Sequence, residues 1–517
     1  MATQTAKGVR NWGNYVGGEW VTAADGATIP VYDPCTEELL ATVPSLSREE
    51  TRAAIGQARV VFDSGVWSEA PPAERSRILL QVVDKLTEHE DELARLETME
   101  SGMTIRAAAT VQLGYSSVHW DYFARHADRQ LQESLEPVSF PTHSYNFVLR
   151  EPIGVCAAII PWNFPLLMAV WKLAPALAMG NVVVLKPASN TPLTALRLAE
   201  LIAETELPPG VVSVVTGSGR TVGEELAGNP LVDKVSFTGS TAVGRRIMEL
   251  AAGTIKRCTL ELGGKSPNIV FEDANLDAAV DGALWATFFH QGQACESGTR
   301  LILPAGIHDE FVERLVARAR TIKLGDTLDY ATDMGPLVSA EQRDIVAGYV
   351  QTGLDEGARL VLGGKAVEGP GGKGHFFEPT IFTDVSNSMT IAQEEIFGPV
   401  LAVIKVEDDE EAIAVANDTI YGLAAAVWTQ DYDRALTTAR RLRAGTIWIN
   451  DHHLINCVAP FGGYKQSGNG REHGIYGLNE YTEVKHVHVD LTGGVEEKWF
   501  GVLLSEPPAP PESDPRP

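Results

Sequence analysis

Three side chains of different kinds stand where they could act together on a carbonyl group. Cys295 lies in residues 288–300, a Gly- and Gln-rich turn between an apolar helix and a strand at 301–303. Glu261 lies in 260–265, where an apolar stretch gives way to Gly263 and Gly264. Asn163 lies in 161–165, where a strand ends and a helix begins. A thiol to capture the carbonyl, an amide to hold its oxyanion and a carboxylate to drive thioester hydrolysis form one complete set. Each also has a plainer reading. A single cysteine is often a small buried hydrophobe, although Gly292, Gln293, Ser297 and Gly298 give Cys295 polar, permissive flanks. Glu261 either pairs with Arg257 or Lys265, or is a base raised by desolvation that the glycines allow to swing; the residues alone leave both open. Asn163, before Phe164 and Pro165, reads as a helix N-cap, and that role is compatible with facing a cleft.

A second group of residues suits a dinucleotide. Gly217, Gly219 and Gly223 form a pattern one residue longer than the usual phosphate-binding fingerprint, which alone is weak. Residues 237–241, with Gly239 and Ser240, end a strand and open a helix, offering N–H groups and hydroxyls to a pyrophosphate. Lys186 to Ser189 end the neighbouring strand within reach of a ribose or phosphate. Glu394, Glu395 and Phe397 supply carboxylates for ribose hydroxyls and an aromatic ring; a helix-end acidic pair is the plainer account.

These residues need a scaffold that brings strand ends together. Between 153 and 262, strands at 153–160, 181–186, 211–216, 234–238 and 258–262 alternate with helices at 164–179, 192–204, 220–227 and 242–252. Near-continuous Val/Ile runs with crossover helices imply a parallel sheet covered on both faces, with ligands at the strand C-termini. A second α/β set follows from 268, with strands at 268–271, 301–303, 359–362, 400–406, 424–429 and 445–450. Residues 13–45 read as hairpins, 48–129 as helices, and 139–150 and 480–490 as strands apart from the rest. The Gly-rich stretch 366–374 reads as a surface loop. Residues 505–517, dense in proline, are expected to be extended or disordered.

Composition narrows the function classes. A chain of 517 residues suggests two or three domains, and 44% hydrophobic with 21% charged residues is ordinary for a globular protein. A net charge of −26 would repel phosphate backbones, so no nucleic-acid partner is expected. The longest apolar run, 153–160, is too short to cross a bilayer, and residues 1–12 do not read as a signal peptide. Five scattered cysteines without CxxC spacing point to a reducing, cytoplasmic setting and away from a Cys-type zinc site. The adjacent His452 and His453 point apart and read as solvated loop residues rather than a metal pair; no metal is expected.

Six motifs, at 161–165, 237–241, 260–267, 292–300, 394–399 and 460–468, occur in the order of the NAD(P)-dependent aldehyde dehydrogenase superfamily, which the chain resembles over about 15–488. The resemblance implies an α/β fold with two doubly wound parallel-sheet domains and a small β-arm for oligomerisation. It implies a dinucleotide-binding domain at 13–133 and 152–263, a catalytic domain at 264–468, an arm at 134–151 with 478–490, and a Pro-rich extension at 491–517. Cys295 is then the nucleophile, Glu261 the base and Asn163 the oxyanion donor. Cofactor contacts fall to Ile160, Trp162, Lys186, Ser189, Gly219, Gly239, Ser240, Glu395 and Phe397. Many NAD-preferring members carry Glu where this chain has Ser189, so NAD is the expected cofactor and NADP is admissible. A substrate funnel is expected from Leu167, Met168, Trp171, Phe289, Ile455 and Phe461 with the 451–457 loop, an apolar set that suits a medium-chain or aromatic aldehyde. Homodimers or homotetramers are implied. Two rival readings are a thiol hydrolase using Cys295 with His290 and Glu261, and a non-catalytic dinucleotide-binding scaffold.

Overall fold

Five parallel strands form the centre of the first sheet. In spatial order they are Arg257–Glu261, Lys234–Thr238, Val155–Ile159, Val182–Lys186 and Val212–Val214. In chain order that is 5-4-1-2-3, so the winding reverses between Val155–Ile159 and Lys234–Thr238. A crevice opens at such a reversal, beyond the carboxyl ends of the strands. Antiparallel strands extend both margins, Gly468–Asn469 at one and the Asn14–Val16/Glu19–Val21 hairpin at the other. Every residue of the Val155–Ile159, Val182–Lys186 and Lys234–Thr238 strands is buried, as the apolar runs require when helices cover both faces. The computed structural model describes residues 3–4, 10–128, 131–140 and 142–506.

The second sheet runs Arg359–Leu362, Thr380–Thr383, Val400–Val406, Arg300–Pro304, Pro267–Val270, Ala424–Trp428 and Thr446–Ile449. All its pairings are parallel except that of the marginal Arg359–Leu362 strand. Thr380–Thr383 is absent from the strands read in the sequence; four residues behind Pro379 are too few for a periodic signal. The 366–374 stretch is more ordered than a plain loop, because Ala366–Val367 pairs with Phe376–Phe377 around an exposed turn. Separate apolar clusters fill the two faces of this sheet, one around Ile269, Ile302 and Phe382, the other around Leu301, Leu303 and Phe311.

Helix boundaries follow local chemistry. Ser47 and Glu50 form a reciprocal capping box that starts Arg48–Asp63. Pro165 occupies the first turn of Pro165–Ala178, a helix buried along its whole length. The sequence reading of one helix over 110–129 differs in detail. Ile105–Ala107 passes through a π-helical segment, Ala108–Leu113, into Gly114–Arg125.

The chain divides into two compact units. One holds both large sheets and comprises the residues up to Asp128 with Ile153–Tyr481. The other runs to Pro152 and resumes at Thr482. Its strands Ser144–Pro152 and Thr482–Asp490 pair antiparallel over nine residues, with Gln132–Ser134 on the free side of Ser144–Pro152. The prolines expected to be extended or disordered, 507–517, lie outside the described residues.

Candidate active site

Cys295 is placed by an unusual backbone. The Leu276–Phe288 helix ends, and His290, Gln291 and Gly292 then take positive φ of 47°, 59° and 72°. Three left-handed residues in a row are costly for L-amino acids and persist only where surroundings fix them. Two glutamine side chains do so. Gln291 Nε2 donates to Gly102 O at 2.7 Å and Pro336 O at 2.9 Å, and Gln293 Oε1 accepts from the Val338 N–H at 3.0 Å. At Gly292 a Cβ would lie 2.2 Å from Gly398 O, so no larger residue fits.

The three reactive groups meet at one cavity of about 290 Å³, lined by Cys295, Glu261 and Asn163. Asn163 sits just past the Val155–Ile159 strand, and its Nδ2 donates to Gln293 O at 2.7 Å, which ties the amide to the cysteine loop. Glu261 ends its strand 3% exposed, and neither carboxyl oxygen has a hydrogen-bond partner among the described residues. Burial, and then the Glu472 carboxylate, push Glu261 well above the ordinary carboxyl range against the pull of Lys172 and Arg471. The pairing with Arg257 or Lys265 does not form. Gly263 and Gly264 meet a need different from swinging. A Cβ at Gly264 would lie 2.4 Å from Cys295 O, and one at Gly263 would lie 2.2 Å from the Glu395 carboxyl. The pair is small because two segments pass close to it.

Cys295 Sγ opens on the cavity and donates to Glu296 Oε2 at 3.2 Å. Burial, and then the Glu296 carboxylate, raise its thiol well above the usual range. Glu296 is itself pushed up by burial, but hydrogen bonding and charge from His453 outweigh this and bring it to about 2. His452 and His453 are therefore not solvated loop residues. Both are buried, His452 Nε2 lies 2.9 Å from Glu296 O, and His453 Nδ1 lies 2.9 Å from Glu296 Oε1. Among the described residues no His, Cys, Asp and Glu cluster is arranged to hold a metal ion.

Residues expected at the cofactor fall into two groups. Trp162, Gly239, Ser240, Glu395 and Phe397 line the cavity with the cysteine. Ser240 caps the Thr241–Ala251 helix, leaving that helix's first N–H groups facing the crevice. Burial raises Glu395 to about 7, and its Oε1 accepts from the Gly264 N–H at 3.1 Å. Phe397, at φ 57°, meets Trp162 edge-on with ring centroids 5.1 Å apart. Ile160, Lys186, Ser189 and Gly219 gather at the adjoining strand ends. Ile160 N–H donates to Lys186 O at 3.1 Å, Ser189 Oγ to Gly217 O at 3.3 Å, and Gly219 opens a turn capped by Ser218. Burial lowers Lys186 to about 8; its Nζ donates to Pro187 O at 3.0 Å. A cation, a hydroxyl and a helix N-terminus at strand ends of the first sheet, with a carboxyl from the segment before the Val400–Val406 strand of the second, fit a dinucleotide.

The expected funnel residues Leu167, Met168, Trp171, Phe289, Ile455 and Phe461 also line this cavity. Sequence reasoning missed Val111, Tyr115, Glu296, Gln342 and Tyr349. Only Glu296 carried a signal, as the neighbour of Cys295. Gln342 Nε2 donates to Phe397 O at 2.9 Å and so fixes the left-handed Phe397, a contact across 55 residues that no local pattern announces. His290 points elsewhere than the thiol hydrolase reading requires. Its Nδ1 meets Gln291 Oε1 at 3.2 Å, and burial lowers it to about 4.

Two doubly wound sheets bring a cysteine, a carboxyl and an amide to one crevice, the arrangement of a nucleotide-binding α/β enzyme class. The chain belongs to the aldehyde dehydrogenase family, whose profile matches residues 20–487. It is 47% identical over 488 residues to a betaine aldehyde dehydrogenase of Bacillus subtilis, covering 94% of this chain and 99% of that protein. It is 45% identical over 480 residues to the human mitochondrial aldehyde dehydrogenase, covering 92% of each. Among solved structures it is similar to a Staphylococcus aureus betaine aldehyde dehydrogenase in complex with NAD+, with TM-score 0.92 and 41% identity over 95% of this chain and 97% of that one.

Proposed function

We propose that this aldehyde dehydrogenase oxidises an apolar medium-chain or aromatic aldehyde to its carboxylic acid through covalent sulfur chemistry at Cys295. The observation that carries the reading is the convergence of Cys295, Glu261 and Asn163 on one cavity at the sheet reversal. Cys295 gives up its thiol proton to solvent, and Sγ adds to the aldehyde carbon while the carbonyl π pair moves onto oxygen, giving a thiohemiacetal oxyanion. The Asn163 amide and the Cys295 backbone N–H receive the oxyanion. The nicotinamide cofactor, when bound, supplies the acceptor for the aldehyde's hydride. Lys186, Ser189, Ser240 and Glu395 would hold it. Sulfur is left as a thioester, and Glu261 takes a proton from the water that hydrolyses it.

NAD serves as cofactor in this reading, and Ser189 leaves no carboxylate to repel a 2′-phosphate, so NADP is accepted as well. The sheet of Val155–Ile159 forms the core of the dinucleotide-binding domain and that of Pro267–Val270 the core of the catalytic domain. The Ser144–Pro152/Thr482–Asp490 ribbon joins subunits into dimers or tetramers. All five cysteines are unpaired, which supports a reducing, cytoplasmic setting.

A second substrate class has its own support. Trp171, Phe289 and Tyr115 line the cavity beside the ionised Glu296, and aromatic faces with a carboxylate attract a quaternary ammonium. The relatives named for betaine aldehyde point the same way. One panel decides. Reduced nicotinamide is followed by absorbance while betaine aldehyde, a linear medium-chain aldehyde and benzaldehyde are each crossed with NAD and NADP. The proposal expects the higher kcat/KM with the apolar aldehydes. A preference for betaine aldehyde selects the second class, and no signal with any pair overturns the oxidation itself.

A further inference from the structure

Glu296 has no part in the steps above, yet it is the side chain in hydrogen-bond contact with the nucleophile. It is buried and fixed at three points. Oε2 accepts from Cys295 Sγ at 3.2 Å, Oε1 meets His453 Nδ1 at 2.9 Å, and its backbone carbonyl meets His452 Nε2 at 2.9 Å. His453 Nε2 lies 3.1 Å from Ala286 O. Both ring nitrogens of His453 thus face oxygens. Trp285 Nε1 donates to His452 O at 3.0 Å and anchors the histidine loop to the helix that carries the cysteine turn.

We infer that Glu296, held by His453, is a positioning residue that keeps Cys295 as a hydrogen-donating thiol in the cofactor-free enzyme and restrains its ionisation. The inference rests on Cys295 being the nucleophile. Ionisation breaks the S–H bond, sends the proton to solvent water and leaves the electron pair on sulfur. At this geometry that change loses the contact to Oε2 and sets two negative charges side by side. Other ionisable groups face the pair. Glu261 and Glu395 lie toward the sulfur from their own segments; His290, His452 and the Tyr115 phenol lie toward Glu296. Burial pushes Glu261 and Glu395 upward, whereas His453 brings Glu296 down to about 2. Of these carboxyl groups it is Glu296 whose oxygen lies in hydrogen-bond contact with the sulfur, at 3.2 Å.

The test is alkylation of the cofactor-free, full-length protein by iodoacetamide across about pH 6–10, with labelling of Cys295 resolved by peptide mass spectrometry. In Glu296→Gln the Cys295 rate at about pH 7.5 is expected to rise roughly tenfold, with the midpoint of the pH profile about one unit lower. Glu296→Asp keeps the charge but withdraws it by one methylene, and should fall between the two. His453→Phe removes the partner of Oε1, so burial protonates Glu296 and labelling should rise as in Glu296→Gln, with no further gain in the double variant. Buried Cys35 and Cys156 are internal controls for the fold and stay unlabelled. A Glu296→Gln rate within about twofold of wild type at every pH, or a slower one, overturns the inference. Should Glu296→Gln label Cys35 and Cys156 as well, Glu296→Asp decides, and a wild-type rate there overturns it. Labelling needs no aldehyde. Failure of the oxidation reading would show separately, as wild-type enzyme that forms no reduced nicotinamide.

Discussion

In the proposed reaction Glu261 and Cys295 carry opposite demands, since the sulfur acts first and the carboxyl acts later as a base. Removing the carboxylate should therefore separate the two stages. Glu261→Gln is expected to release about one reduced nicotinamide per site in a rapid burst and then stall as acyl-enzyme, a result that rapid mixing reads directly. Turnover continuing at the wild-type rate would reject Glu261 as the base. The pH dependence follows from the direction of its shift. Burial holds the proton on Glu261 above the ordinary range, so hydrolysis-limited turnover should climb as pH rises through that raised value. The glutamine variant should lose this acid limb. At this scale much was legible, because Cys295, Glu261 and Asn163 each sit in a short stretch whose glycines and prolines mark a special backbone. The reasons were less legible. Gly264 is small because Cys295 O passes within 2.4 Å of a would-be Cβ, and such proximity exists only in the fold. His452 and His453 were misjudged for the same reason, since their partner Glu296 lies more than 150 residues away.

The elements that hold the site are readable from periodicity where they are long and buried. The five parallel strands around Val155–Ile159 emerge in the places their Val/Ile runs indicate, and their order creates the crevice. Where tertiary contact fixes the backbone, the sequence marks a turn without giving its conformation. The turn 290–292 is such a place, and Gly292→Ala tests it. At φ 72°, with Gly398 O in the way, alanine should cost at least about 1 kcal/mol and displace the cysteine loop. A lower Tm together with a smaller kcat is expected; a variant matching wild type in both would show that the loop tolerates a Cβ. A second element carries a buried acid with no catalytic task. Glu97, on Glu90–Ser101, is fully buried with both carboxyl oxygens unpartnered among the described residues. Burial, and then its neighbour Glu100, raise it well above the usual range. The folded protein keeps a proton that the unfolded chain gives up, so this group costs stability increasingly as pH rises above its unfolded value. Glu97→Gln should accordingly raise Tm at about pH 8 and lose that advantage at about pH 4, read by thermal unfolding at both.

For the whole molecule, assembly turns on surface chemistry. The unit containing Ser144–Pro152 and Thr482–Asp490 continues past its last strand into two short exposed turns, Val495–Glu497 and Trp499–Val502. Trp499, Phe500, Val502, Leu503 and Leu504 are all more than half exposed, and Phe140 of the same unit meets Trp499 edge-on at 5.5 Å. A chain carrying −26 charges would not ordinarily leave so much contiguous apolar surface in water. In the proposed assembly another copy of the chain would cover it. Ending the protein at Asp490 removes the turns while leaving the nine-residue pairing with Ser144–Pro152 intact. The shortened protein is expected to have a smaller mass by light scattering or a Tm lower by several degrees, with cofactor binding retained because every residue assigned to it lies before Asp490. Unchanged mass and unchanged Tm would mean that these side chains stay in water and take no part in assembly.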